Sequence, residues 1–160
     1  MRELRQEARH KDISVNTLVS QILKYHAEWH SNAAKAGFIV VRRSFLNKLM
    51  DLLSEEDISS VSKEVASKET KDFVLLLRNT YDINSALAAV ESWIRISGFP
   101  FRHESTDMMH SYVINHELGR KMSLALAEVY RHLFNEFGVR SAAFDQTDNT
   151  LAVIFDTSVE

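Results

Sequence analysis

Up to about Gly98 the apolar residues of this 160-residue chain recur mostly at helical spacing; at Phe99 the period changes to two, and segments of that period then flank one more helical stretch. That switch constrains the fold more than any other feature. A period of 3.6 buries one stripe of a helix, whereas a period of two buries one face of a strand. "FPFRHES" and "MMHSYVINH" read as two strands joined near Thr106 and Asp107. "GRKMSLALAEVYRHLFNEFG" reads as a long helix with Leu126, Val129, Tyr130, Leu133, Phe134 and Phe137 on one face and Gly138 as its stop. "VRSAAFD" and "TLAVIFD" form a hairpin around "QTDN", with Leu151, Val153 and Phe155 alternating onto one face. One helix laid on one face of an antiparallel sheet buries both apolar surfaces. The expectation is therefore an α+β chain whose residues 99–156 are a β-β-α-β-β unit.

Upstream the spacing predicts helices. Residues 2–11 place Leu4 and Ala8 on one face, and Ser14 is a good cap for a second helix whose stripe is Leu18, Ile22, Tyr25, His26 and Trp29. Gly37 is suited to end that helix in the left-handed conformation. "FIVVRR" at 38–43 reads as a short strand by its β-branched content. Three or four helices follow within 44–97. Ser44 is expected to cap one carrying Phe45, Leu46, Leu49, Met50 and Leu53. Ser54 caps the next, with three acids in its first turn and a stripe of Ile58, Val61 and Val65. "KETKDFVLLLRN" is apolar nearly all round at its end, as in a helix covered on several sides. The last runs from an Asp82 cap to a Gly98 stop with Ile83, Leu87, Val90 and Ile94 inward. This divides the chain into a helical module, 1–34, and an α+β body, 36–160.

Charge divides it in the same place. Residues 1–48 hold nine Lys and Arg against four Asp and Glu, and the remainder ten against eighteen, within a net charge of −3. A basic beginning on an acidic body suits a first part that meets phosphate and a second that meets something else. With no cysteine there is no disulfide, thiolate nucleophile or iron–sulfur cluster. The longest apolar runs, "FVLLL" and "FIVV", are far short of the ~20 residues of a membrane helix. "MRELRQEARHKD" lacks the apolar middle of a secretory signal, so a cytoplasmic protein is expected.

"LRQEARHKDISVNTLVSQIL" resembles the two helices of ribbon-helix-helix repressors, the Arc/MetJ/CopG-like superfamily. The matching features are Leu4 and Ala8, a tight turn, and "ISVNTLV" opening a helix that continues to Ile22 and Leu23. Where many members have Gly in the turn this chain has Asp12, which also tolerates turn geometry. The resemblance implies a homodimer on duplex DNA. Ser14 would be the cap, and Val15, Asn16 and Thr17 would face phosphate, with Arg9 and Lys11 beside them. Leu18, Ile22, Tyr25 and Trp29 would form the core and dimer contact. Only Met1 and Arg2 precede the first helix, too few for a ribbon strand of about five or six residues. Such a chain is expected to dimerise and to touch DNA weakly through its backbone rather than read base edges. The rest of the chain resembles archaeal proteins that join such a segment to an α/β body, which implies no activity.

Other constellations are weaker. His26 and His30, four apart on a helix, lie within reach of one metal, but two ligands make no site, and packing is the expected role of this stretch. His103, His110 and His116 invite comparison with nickel-responsive regulators, which use histidines and a cysteine. No cysteine is present, and six residues of strand separate His110 from His116 by about 20 Å, too far for one ion. Gly119, Arg120, Lys121 and Ser123 at a strand-to-helix junction form a candidate anion site. There is no G-x-S-x-G, no H-E-x-x-H and no convincing carboxylate pair, so neither an enzyme nor a cofactor is expected. The functional expectation is a homodimeric DNA-binding transcriptional regulator with a C-terminal effector or oligomerisation body. The alternative is a non-catalytic dimeric scaffold that has lost DNA reading.

Overall fold

A computed structural model describes residues 1–106 and 108–157, leaving aside the side chain of Glu28. The chain divides into two compact units, Met1–Ile39 and Val40–Glu160. Mixed helix and antiparallel sheet make it α+β.

The first unit is helical: α1 (Arg2–His10), α2 (Val15–Tyr25), a π turn (His26–His30) and a single turn, α3 (Ser31–Ala33). α1 ends where Asp12 takes φ 52, so that the Ile13 amide reaches back to the Ala8 carbonyl at 3.0 Å and the Asp12 amide to that of Arg9 at 3.2 Å. This paired closure satisfies carbonyls that a helix end otherwise leaves open. Gly37 closes the unit's last helical stretch the same way at φ 79, with Phe38 bonded back to Ala33. Ala8, Leu18 and Trp29 are buried, and the Trp29 ring lies 5.0 Å from that of Phe38. The expected stripe is thus only partly covered. Tyr25 is half-buried, His26 exposed, and Ile22 and Leu23 are 44% and 63% exposed.

"FIVVRR", at the boundary of the two units, is not a strand; it has no regular structure until Arg43 opens α4 (Arg43–Asp51), and Ile39 and Val40 are almost fully exposed. β-branched content favours extended backbone, but a strand exists only where a neighbour completes its hydrogen bonds. Nor does Ser44 cap α4: Arg42 is the N-cap, without a side-chain bond. The next two predicted helices are one, α5 (Glu55–Arg78). Its Ser54 and Asp57 form a reciprocal capping box. Inward it presents Ile58, Ala66, Thr70 and Val74, while Val61 and Val65 are half-exposed. The helix therefore turns a smaller-residue stripe to its neighbours than apolar content suggests. α6 (Ile83–Ile96) runs as expected from an Asp82 cap to a left-handed Gly98, burying Leu87, Val90 and Ile94 with Ala86 and Ala89.

From Phe99 the β-β-α-β-β unit is as its spacing predicts: β1 (Phe101–Thr106), β2 (Met109–Asn115), α7 (Arg120–Phe137), β3 (Ala142–Gln146) and β4 (Thr150–Asp156). Of the first turn, Asp107 lies outside the described residues. The sheet is antiparallel throughout, in the order β1-β2-β4-β3. Tyr112, Ile114, Leu151, Val153 and Phe155 point to one core with Leu126, Tyr130, Leu133 and Phe134 of α7 and the inner face of α6. Glu128, buried on α7, accepts from Ser59 of α5 and from Arg131, which joins the two helices without an unsatisfied charge.

Candidate functional site

The residues expected to meet DNA gather at the start of α2. Ser14 is extended, and its Oγ accepts from the Thr17 amide at 3.0 Å, as an N-cap should. The Thr17 hydroxyl is 2.8 Å from Ser14 Oγ, so the two side chains are already engaged with each other. Val15 and Asn16 occupy the first turn, where the helix itself offers their amides no acceptor. Arg9 is exposed at the end of α1, and Lys11 is bonded to Glu7 at 2.7 Å with both side chains about half-exposed. Arg2, Arg5 and Arg9, spaced +3 and +7, share one exposed face of α1. The unit thus carries a line of guanidinium groups and, at the opening of α2, two amides without helical partners. His26 and His30 stack at 6.2 Å within the π turn and are both exposed, so His26 is not covered within its own chain.

The histidines of the second unit separate into two arrangements. His116 is fully buried: its Nδ1 accepts from the Leu118 amide at 3.1 Å, so Nε2 carries the proton and donates to Ser123 Oγ at 2.8 Å. Ser123 in turn donates to the Thr147 carbonyl at 2.6 Å. The direction of these bonds makes a latch between α7 and the β3–β4 turn. A base that activated the serine would accept its proton, and here the serine's proton goes to a carbonyl. Burial lowers the His116 pKa to about 4, keeping the ring neutral.

His103 and His110 are brought together. The register sets His103 opposite Tyr112 and Ser105 opposite His110, so both rings lie on the helix-covered face, with His103 Nε2 and His110 Nδ1 3.0 Å apart. Glu91 of α6 completes the chain: one carboxylate oxygen meets His103 Nδ1 at 2.8 Å and accepts from the Tyr112 hydroxyl at 2.6 Å. Glu91 thus holds His103 through Nδ1, and Nε2 of the same ring meets His110, so the three side chains form one hydrogen-bonded chain. Tyr112 stacks on His103 at 4.0 Å, and His110 on Phe155 at 5.2 Å. Burial, then the bond to Glu91, pushes the Tyr112 phenol far above its usual range; burial, then the Glu91 charge, does the same for Tyr130. Burial, and next the neighbouring His103, lowers the pKa of His110. The chain of rings is linear and does not converge on a point. Among the described residues no three His, Cys, Asp or Glu groups are placed to hold a metal.

Gly119, Arg120, Lys121 and Ser123 do sit together at the start of α7, but their groups are committed. Lys121 donates to the Met50 and Asp51 carbonyls at the end of α4, at 2.8 and 3.3 Å. Arg120 pairs with Glu55 at 3.2 Å, Ser123 is buried in the latch, and the Gly119 amide faces Asn149 Oδ1 at 3.4 Å. Both cations here join α7 to neighbouring helices.

Glu91 and Tyr112 escaped the sequence reading. The signal was present, since Leu87, Glu91 and Ile94 are spaced +4 and +3 and place a carboxylate on the buried stripe of α6. No described helix is long and apolar enough to cross a membrane. No protein-family model and no curated protein matches the chain.

Proposed function

We infer that the protein is a homodimeric, non-catalytic DNA-binding regulator of ribbon-helix-helix type, whose first unit contacts phosphate and whose second is an effector or oligomerisation body. The carrying observation is the opening of α2: a serine-capped helix start behind a left-handed Asp12, following a helix on which Arg2, Arg5 and Arg9 are exposed. Amides without helical acceptors and nearby guanidinium groups are what a phosphate binds. The exposed Ile22 and Leu23 supply an apolar ridge for a second copy.

Binding to duplex DNA at low ionic strength, followed by fluorescence anisotropy, tests this. The reading requires affinity that falls steeply with added salt and a shallower salt slope in Arg9→Ala, because each lost phosphate contact removes about one released counterion. Absence of salt-dependent binding sinks it. The competing reading, a dimeric scaffold that does not touch DNA, draws on the mutual engagement of Ser14 and Thr17. A dimer without DNA affinity selects it.

A further inference from the structure

We propose that His103 and His110 form an acid switch in the second unit: beside Glu91 they hold one added proton without rearrangement, and a second breaks their bond and frees the turn end of the β1–β2 hairpin. The inference goes beyond the DNA-binding reading and does not rest on it.

The two rings meet in a way that fixes how many protons they can share. His103 Nε2 and His110 Nδ1 are 3.0 Å apart while the ring centres are 5.2 Å apart, in planes 18° from parallel. The two nitrogens therefore lie between the rings and point at each other, which is a hydrogen bond only while one of them lacks a proton. An ionised Glu91 can only accept, so its 2.8 Å contact asks for a proton on His103 Nδ1. Two neutral rings carry two protons, one for each contact. A third can sit on His110 Nε2, and both contacts survive. A fourth must enter the gap between the rings, where two N–H groups then oppose each other.

Charge sets the same limit. One imidazolium beside one carboxylate is a balanced pair; two imidazoliums repel each other and have one carboxylate to share. The side chains of His103 and Glu91 are 25% and 23% exposed, so water screens that repulsion only in part. Among the described residues that face the rings there is no second anion. Tyr112 of β2 already donates its hydroxyl to Glu91, and Tyr130 of α7 is a phenol that burial holds above its usual range. β4 presents Phe155, and Arg95 of α6, over Phe101 at 5.1 Å, is a further cation. Arg102 and Glu104 of β1 alternate onto the other face of the sheet. Burial, and next the charge of His103, already lowers the His110 pKa, which puts the second proton in acid below the ordinary 6.5.

The pair also sits where the sheet is cheapest to open. β1 is an edge strand with β2 as its one ladder neighbour, and His110 lies opposite Ser105, one pair from the end of that ladder. Parting the last pairs of an edge strand leaves the β2–β4 ladder intact. His110 then withdraws from the Phe155 ring, on which it stacks at 5.2 Å.

Ring-nitrogen NMR of the full chain, titrated into acid, tests this. A nitrogen–nitrogen coupling across the His103–His110 bond is expected at neutral pH, to persist through the first protonation and to vanish at the second. The close approaches of Ser105 to His110 and of His110 to Phe155 are lost in the same step. In His110→Gln, whose amide donates and accepts at any pH, His103 is expected to titrate in one step and residue 110 to stay beside Ser105 through the same range. Rings that titrate independently from the start overturn the proposal. So does a Ser105–His110 contact that outlasts the second proton, or a bond that persists until the protein unfolds. Should the variant fail to fold, the titration of the unaltered chain decides by itself.

Discussion

At the residue scale the two most constrained positions are Asp12 and His116. Asp12 sits at φ 52, where an L side chain costs about 1 kcal/mol and glycine nothing. Asp12→Gly is expected to raise stability by up to about 1 kcal/mol, less whatever glycine adds to unfolded-chain entropy, as read by denaturant melts. The turn was legible because its residue types are few; its left-handed geometry at Asp12 needed the coordinates. His116 makes a pH prediction. Its folded pKa of about 4 lies below the unfolded value near 6.5, so the unfolded chain binds the proton first as pH falls. Stability is then full above about 6.5 and declines towards 4, by up to about 3 kcal/mol, with His110 shifted in the same direction. Denaturant midpoints across that window check the decline. The His116 ring signals in NMR should stay unshifted until about pH 4. An early-titrating ring would mean that the latch with Ser123 is open in solution.

Among the elements, helices announced their starts and concealed their extents. Ser54 was legible as a cap because a hydroxyl before three acids answers the open amides of a first turn. That α5 then continues to Arg78 was not, since Ala66 and Thr70, which carry its buried stripe, register weakly on any apolar scale. Ser54→Ala removes the hydroxyl that accepts from the Asp57 amide and donates to its carboxylate, leaves the bond from the residue-54 backbone amide to that carboxylate, and is expected to cost about 1 kcal/mol. The bond to Ser54 holds the Asp57 carboxyl below its usual range, so the cost should shrink as acid protonates that group. A melt of the variant at neutral and acid pH reads both effects. "FIVVRR" shows the opposite failure. Its composition favours a strand, yet β-structure is a property of pairs, and among the described residues this segment has no ladder partner.

For the molecule as a whole, Ile22 and Leu23 stand out as apolar residues that the described fold leaves exposed on α2. If that ridge joins two copies, Ile22→Glu should lower the sedimenting mass of the full chain without changing its helix content by circular dichroism. A variant of unchanged mass would remove α2 from the dimer contact. The hydrogen-bonded chain of Glu91, His103 and His110 belongs to this scale too, since it joins α6, β1 and β2. The sequence held each of its members but not their meeting: His103 and His110 are seven apart, and only the turn between β1 and β2 decides which residues face one another. By itself the sequence determined the α+β class, the caps at Ser14, Ser54 and Asp82 and the chain order of the four described strands and their helix, because periodicity and capping are local physics. The tertiary structure alone decided which apolar residues are covered, that Arg120 and Lys121 at the start of α7 reach Glu55 and the end of α4, and that a carboxylate and two histidines form one hydrogen-bonded chain. Those depend on residues distant in sequence, whose separation in space no local pattern encodes.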